Sequence, residues 1–107
     1  MDHNLVGWDI GRLNDIEWAP WDTGERARAK VLAVADGFHV VLVEARAGYV
    51  GGHHEHSHPE FLYVVDGALR TQGRVMSAGD AYAASPGSVH TDFAVDTAAT
   101  YLLIFKL

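Results

Sequence analysis

The sequence contains no cysteine. Disulfides are therefore excluded, and any bound metal must be held through nitrogen and oxygen donors alone. Lys and Arg number only 8 against 14 Asp and Glu, and no run of basic residues occurs. Nucleic acid and anionic membrane surfaces both need clustered positive charge, so neither is an expected partner. No apolar run approaches the ~20 residues of a membrane-spanning helix. Met1 to Ile10 carries Asp2, His3, Asn4 and Asp9 and lacks the basic start and apolar centre of a secretion signal. A cytoplasmic location is the expectation. Repeats, linkers and low-complexity segments are also missing, and no stretch carries a convincing helical period.

What remains is a chain of 107 residues, 49% hydrophobic and 21% charged, which reads as a single globular domain over residues 1–107. Short β-rich stretches alternate with Gly and Asp turns. Lys30 to Val34 precedes the hairpin signal Asp36-Gly37, and Phe38 to Arg46 follows as a strand that is apolar on both faces. Glu60 to Asp66 reads as a strand ending in a turn at Asp66-Gly67, with Ala68 to Gln72 returning. Arg74 to Ser77, Ala81 to Ala84, Val89 to Val95 and Thr100 to Leu107 complete the set. An extended N-terminal segment with Trp18-Ala-Pro-Trp21 is expected to pack along the body. The fold class is all-β, a sandwich or barrel.

Within this pattern one stretch stands out. Of the seven histidines, four lie between His53 and His58, Glu60 follows, and His90 sits downstream in Ser-Pro-Gly-Ser-Val-His. His54 and His56 have the spacing that puts both imidazoles on one face of a strand. Two imidazoles and a carboxylate from one region, plus His90 from another, would enclose one divalent ion, with Fe, Zn, Mn, Ni and Cu all compatible. Four protein ligands leave coordination positions for water or substrate. The alternative is a solvated histidine-rich loop. His53 has the wrong parity to join the set, and His58 is a candidate proton shuttle at the mouth. His39 is read as a rim or hydrogen-bonded histidine, and Arg70 as part of a solvated strand face.

Gly48, His54, His56, Glu60 and Gly67 resemble the first motif of the cupin superfamily. Gly79-Asp80, Gly87 and His90 resemble the second. Two positions of that second motif depart from the usual pattern. Ser85 stands at the proline position with Pro86 one residue later, and Ala94 replaces a frequent asparagine. These departures touch scaffold turns rather than ligands. Trp18-Ala-Pro-Trp21 and Gly24 look similar to cupins of the anti-sigma-factor type.

The resemblance implies a double-stranded β-helix, or jelly-roll barrel, with six to eight strands and an inward-facing metal. It assigns the metal to His54, His56, Glu60 and His90. Parity along the flanking strands places Leu62 and Val64 inward with Glu60, and Asp92 inward with His90 near the metal or the mouth, while Phe93 points away unless a bulge intervenes. Tyr49, Tyr82 and Tyr101 are possible pocket walls. Cupins include dioxygenases, isomerases, lyases and polyketide cyclases, so the leading expectation is a metalloenzyme with dioxygenase-type oxygen chemistry on a diketone, phenol or other enolisable molecule, and a Lewis-acid isomerase, lyase or polyketide cyclase is the alternative enzyme. Glu60 and His58 are its candidate acid–base groups. The alternatives are a zinc-binding sensor module and a barrel whose metal only stabilises the fold. The expected partners are a small-molecule ligand in the barrel and a second copy of the chain, paired along an exposed last strand, Tyr101 to Phe105.

Overall fold

The computed structural model describes residues 5–51 and 57–106. Among them the chain forms β1 (Ala19–Pro20), β2 (Ala27–Ala35), β3 (Phe38–Arg46), β4 (Tyr49–Val50), β5 (Glu60–Thr71), β6 (Arg74–Ser77), β7 (Ala81–Ala84), β8 (Phe93–Val95) and β9 (Ala98–Lys106). The sole helical feature of the described residues is a single 3₁₀ turn, Leu13–Asp15, and no helix there is long and apolar enough to cross a membrane. All pairings are antiparallel.

The strands arise from period-2 patterning. Along β3, Val41, Val43 and Ala45 are buried, while Val40, Leu42 and Glu44 point outward. β2 starts earlier than the apolar pattern indicated, at Ala27, because Ala27 and Ala29 face the core while Arg28 projects outside. The β2–β3 turn sits at Asp36 and Gly37, with φ of 53° and 81°. Two consecutive positive φ values suit the twist of a two-residue hairpin, and Asp and Gly tolerate them best.

β5 corrects the reading of Asp66-Gly67 as a hairpin turn. The strand runs without reversal from Glu60 to Thr71. Its first part pairs with β9 and β7, and its last four residues pair with β6 and β8. Register slips by one between Val64 and Asp66, so this is a bulge that hands one strand from the first sheet to the second. Gly67 adopts φ +74°, and a Cβ there would lie 2.1 Å from the Ala98 carbonyl oxygen. The Asp-Gly signal was real, but the close approach to β9 makes it a bend within a sheet.

β9 supplies a second correction. It is no edge strand: β3 pairs along one side and β5 along the other. Its apolar character on both faces reflects this central position, so it does not argue for pairing with a second subunit.

The core includes Val41, Val43, Val64, Leu69, Val95 and Tyr101, all fully buried. Burying each such side chain stabilises by about 1.5–3 kcal/mol. Tyr101 also brings a hydroxyl that needs a partner, which it finds in Tyr49.

The N-terminal segment runs along the outer edge of β2. The Val34 N–H donates to Asp9 Oδ2 at 2.8 Å and Lys30 Nζ donates to the Leu13 carbonyl at 2.8 Å. The two tryptophans divide their work. Trp18 lies beneath the Arg28 guanidinium, 4.2 Å from its ring centroid, while Trp21 turns inward and meets Phe105 edge-on at 5.9 Å.

Candidate metal centre

Glu60 opens β5 and takes the same inward face as Leu62 and Val64. His90 arrives from the connection between β7 and β8. That connection turns at Gly87, where Ser88 N–H and Ser88 Oγ both donate to the Ser85 carbonyl, at 3.1 and 2.6 Å. Beyond His90, the Thr91 N–H and hydroxyl both donate to Gln72 Oε1, at 2.8 and 3.0 Å. Thr71 Oγ1 donates to the Asp92 carbonyl at 2.8 Å. The β5–β6 turn thus clamps the histidine loop, and Gln72 is a positioning residue that the sequence pattern did not reveal.

The consequence is a close meeting of residues thirty apart. His90 Nε2 lies 2.9 Å from Glu60 Oε2, and each residue is 6% exposed. The Tyr82 hydroxyl donates to Glu60 Oε2 at 2.5 Å. Burial, then the Glu60 charge, then this hydrogen bond hold the Tyr82 phenol far above its ordinary range. It therefore stays a donor at any working pH.

These groups stand on the wall of a cavity of about 390 Å³ that also includes Trp21, Asp22, Tyr49, Phe93 and Tyr101. All three suggested wall tyrosines line it. Phe93 lines it too, against the parity expectation. The chain is irregular at Thr91 and Asp92, so the alternation restarts at β8 with Phe93 and Val95 inward. Asp92 instead turns its carboxylate to the Gly73 N–H, at 3.3 and 3.4 Å. The rings form a connected wall: His90 meets Tyr82 at 5.8 Å and Phe93 at 6.0 Å, and Phe93 meets Tyr101 at 5.6 Å. At the mouth the Tyr49 hydroxyl donates to Asp22 Oδ2 at 3.1 Å. Burial, then the Asp22 charge, push the Tyr49 phenol up. A larger groove of about 680 Å³ runs from β1, β2 and β3 to the Gly67 bulge and the start of β9, but it holds neither Glu60 nor His90.

Of the expected metal ligands, the structure brings Glu60 and His90 together. His54 and His56, like His53, lie outside the described residues, and no three potential ligands gather among the residues described. His58 is exposed and does not line the cavity. His39 Nδ1–H donates to the Gly37 carbonyl at 3.0 Å and the ring stacks on Phe105, as a rim histidine should. Arg70 pairs with Asp96 at 2.7 Å on the surface.

The donor set fits a divalent ion. The Glu60–His90 separation of 2.9 Å is that of a hydrogen bond, and it also lets both side chains reach one ion at the ~2.1 Å of a nitrogen or oxygen ligand. A carboxylate and an imidazole buried side by side are also the mixed oxygen and nitrogen set that first-row divalent metals take. Gly51 lines the cavity, and the described chain resumes at Ser57, three residues before Glu60.

Fold and motif residues together define a cupin. The ChrR cupin-like domain family matches residues 9–106, and the chain belongs to that family. No curated protein matches it. Among solved structures it is similar to an RmlC-like cupin from Shewanella frigidimarina, with 23% identity and a TM-score of 0.77, covering 91% of this chain and 88% of that one. It is also similar to the structure of Rhodobacter sphaeroides SigE in complex with the anti-sigma ChrR, at 25% identity and a TM-score of 0.73, covering 89% of this chain and 52% of that one. An acetylacetone dioxygenase from Acinetobacter johnsonii shares the fold at 14% identity and a TM-score of 0.76, covering 99% of this chain and 77% of that one.

Proposed function

We propose that this cupin holds one divalent metal ion through His54, His56, Glu60 and His90 and acts on a small enolisable molecule in the aromatic cavity. The observation that carries the reading is the buried Glu60–His90 pair, 2.9 Å apart, on the wall of that cavity. A bound divalent ion supplies Lewis acidity, and iron or copper supplies redox chemistry toward oxygen as well.

The chain's own groups set what the site can accept. Tyr82 fixes the Glu60 carboxylate by its short hydrogen bond and remains protonated. Glu60 is also the group placed to take a proton from an acidic carbon. Trp21, Tyr49, Phe93 and Tyr101 offer flat apolar walls that exclude water from a ligand of a few carbons. No Lys or Arg lines the cavity among the described residues, and Asp22 stands at its mouth. A phosphate or dicarboxylate is thereby disfavoured, and a neutral diketone or phenol suits the walls. The shared fold with an acetylacetone dioxygenase makes diketones the first compounds to test. His58, outside the lining, would serve only to carry protons to and from solvent.

A second reading is favoured by the family itself. ChrR is an anti-sigma protein seen in complex with SigE, so the second reading is a non-catalytic, zinc-holding sensor module that reports to a partner protein. Metal analysis with oxygen uptake separates the two. Iron or copper near one per chain, with oxygen consumed in the presence of a 1,3-diketone or phenol, supports the dioxygenase. Manganese or nickel with isomerisation, elimination or cyclisation and no oxygen uptake supports a Lewis-acid enzyme. Zinc with no turnover of either class sinks the enzyme reading. His58→Ala is expected to leave metal content unchanged; a loss would make His58 a ligand.

A further inference from the structure

The two ends of the Glu60–His90 cavity carry different chemistry. Glu60 and His90 hold one end. From His90 the wall passes to Phe93, with ring centroids 6.0 Å apart, and from Phe93 to Tyr49, 6.2 Å apart. There the Tyr49 hydroxyl reaches Asp22. Neither metal binding nor the acid–base groups use this second end.

Its composition is specific. Trp21, Tyr49, Phe93 and Tyr101 supply the walls. Phe93 stands at 85° to Tyr49 and at 64° to Tyr101, so these rings form the sides of a box and not a stack. Asp22 adds a carboxylate. Its Oδ2 accepts from Tyr49 at 3.1 Å, while Oδ1 accepts no hydrogen bond among the described residues. No Lys or Arg among those residues lines the cavity to neutralise it. Asp22 also takes a left-handed φ of 60°, a conformation that an L residue adopts at a cost. The turn that holds it is closed by the Gly24 N–H, which donates to the Trp21 carbonyl at 2.9 Å. That turn sets the Trp21 ring and the Asp22 carboxylate together on one cavity.

Aromatic faces carry partial negative charge, Asp22 a full one, and the chain a net charge of -6. All three favour a cation. The kind of cation follows from the shortage of acceptors. A primary ammonium brings three N–H donors that need lone pairs, and this end offers ring faces with one open carboxylate oxygen. An alkylated ammonium has few donors or none, and aromatic faces suffice for it.

We infer that this end of the cavity binds an alkylammonium group, so that the molecule taken up carries a tertiary or quaternary ammonium opposite its metal-directed end. The inference rests on the reading of this cavity as the substrate site and adds the class of the substrate's far end. The aromatic box itself needs no metal.

The test is an NMR titration of the full chain as purified, with its metal content measured beside it. The probes are choline and 3,3-dimethylbutan-1-ol, which share a shape and differ in charge. Choline should bind with a dissociation constant below about 1 mM, its methyl protons shifted upfield by the rings. The neutral alcohol should bind at least about tenfold more weakly, as desolvated cation–π contacts require. Asn tolerates a left-handed φ, so Asp22→Asn should keep the fold, weaken choline by about tenfold and leave the alcohol unchanged. Equal binding of the two probes, or no choline binding up to about 20 mM, overturns the inference. A choline preference that survives Asp22→Asn in full overturns it as well. Choline bound by a chain that takes up no metal upholds this inference and sinks the metal centre. A metal-loaded chain indifferent to the charge of the probe overturns this inference alone.

Discussion

Replacing Tyr82 by Phe removes one hydroxyl and keeps the ring that packs against His90. The lost bond is the 2.5 Å donation to Glu60 Oε2. Hydrogen bonds to a charged partner contribute about 1.5–3 kcal/mol. Tyr82 is half-buried, so water can replace part of this, and the lower end of that range applies. With a urea slope of about 1.5 kcal/mol per molar for a chain of this size, the unfolding midpoint of the metal-free protein should fall by about 1 M. The same hydroxyl orients a proposed metal ligand, and such supporting contacts are worth about 10–100-fold in metal affinity. A competition titration with a chelating dye reads this second effect. A midpoint shift below about 0.3 M together with unchanged metal affinity would refute the claim that Tyr82 holds Glu60 in place.

Other consequences follow from the backbone and the tyrosines. Gly67→Ala forces a left-handed φ and drives a Cβ to 2.1 Å from the Ala98 carbonyl; it should cost more than about 3 kcal/mol. Gly73→Ala, at φ +71° with open space around it, should cost only about 1 kcal/mol. Equal losses in thermal melts of the two variants would contradict the bulge. The buried phenols of Tyr49 and Tyr101 are both held above their ordinary 10.0 in the folded chain, chiefly by burial. Their contribution is therefore fully present below pH 10.0 and is lost above it, as the unfolded chain releases protons that the folded one retains. With the Tyr82 phenol, which burial raises likewise, stability should fall by about 4 kcal/mol per pH unit there, and tyrosinate absorbance should rise with unfolding. Full ionisation with unchanged circular dichroism would count against it.

Much of this was legible from local chemistry. Phe38–Arg46, Arg74–Ser77 and Ala81–Ala84 stand where the alternation and the Gly and Asp turns put them, because each is bounded by a residue whose φ or hydrogen bonding fixes the turn. With Glu60 set inward by the cupin motif, Leu62 and Val64 followed by parity. What was not legible depends on contacts distant in sequence. Asp66-Gly67 reads as a turn until Ala98 is known to lie against it. The apolar Tyr101 to Phe105 reads as an exposed edge until β3 and β5 are seen on both sides. Phe93 and Gln72 escape a pattern reading because irregular backbone at Thr91 and Asp92 breaks the alternation, and the clamp on His90 joins residues nineteen apart.

The most direct test of the metal centre is elemental analysis of untagged protein purified without chelators, beside Glu60→Ala and His90→Ala. The account predicts close to one divalent ion per wild-type chain and close to none in either variant, with folding retained. A wild-type chain that carries no metal and takes up none on soaking, or variants that keep a full complement, would contradict it.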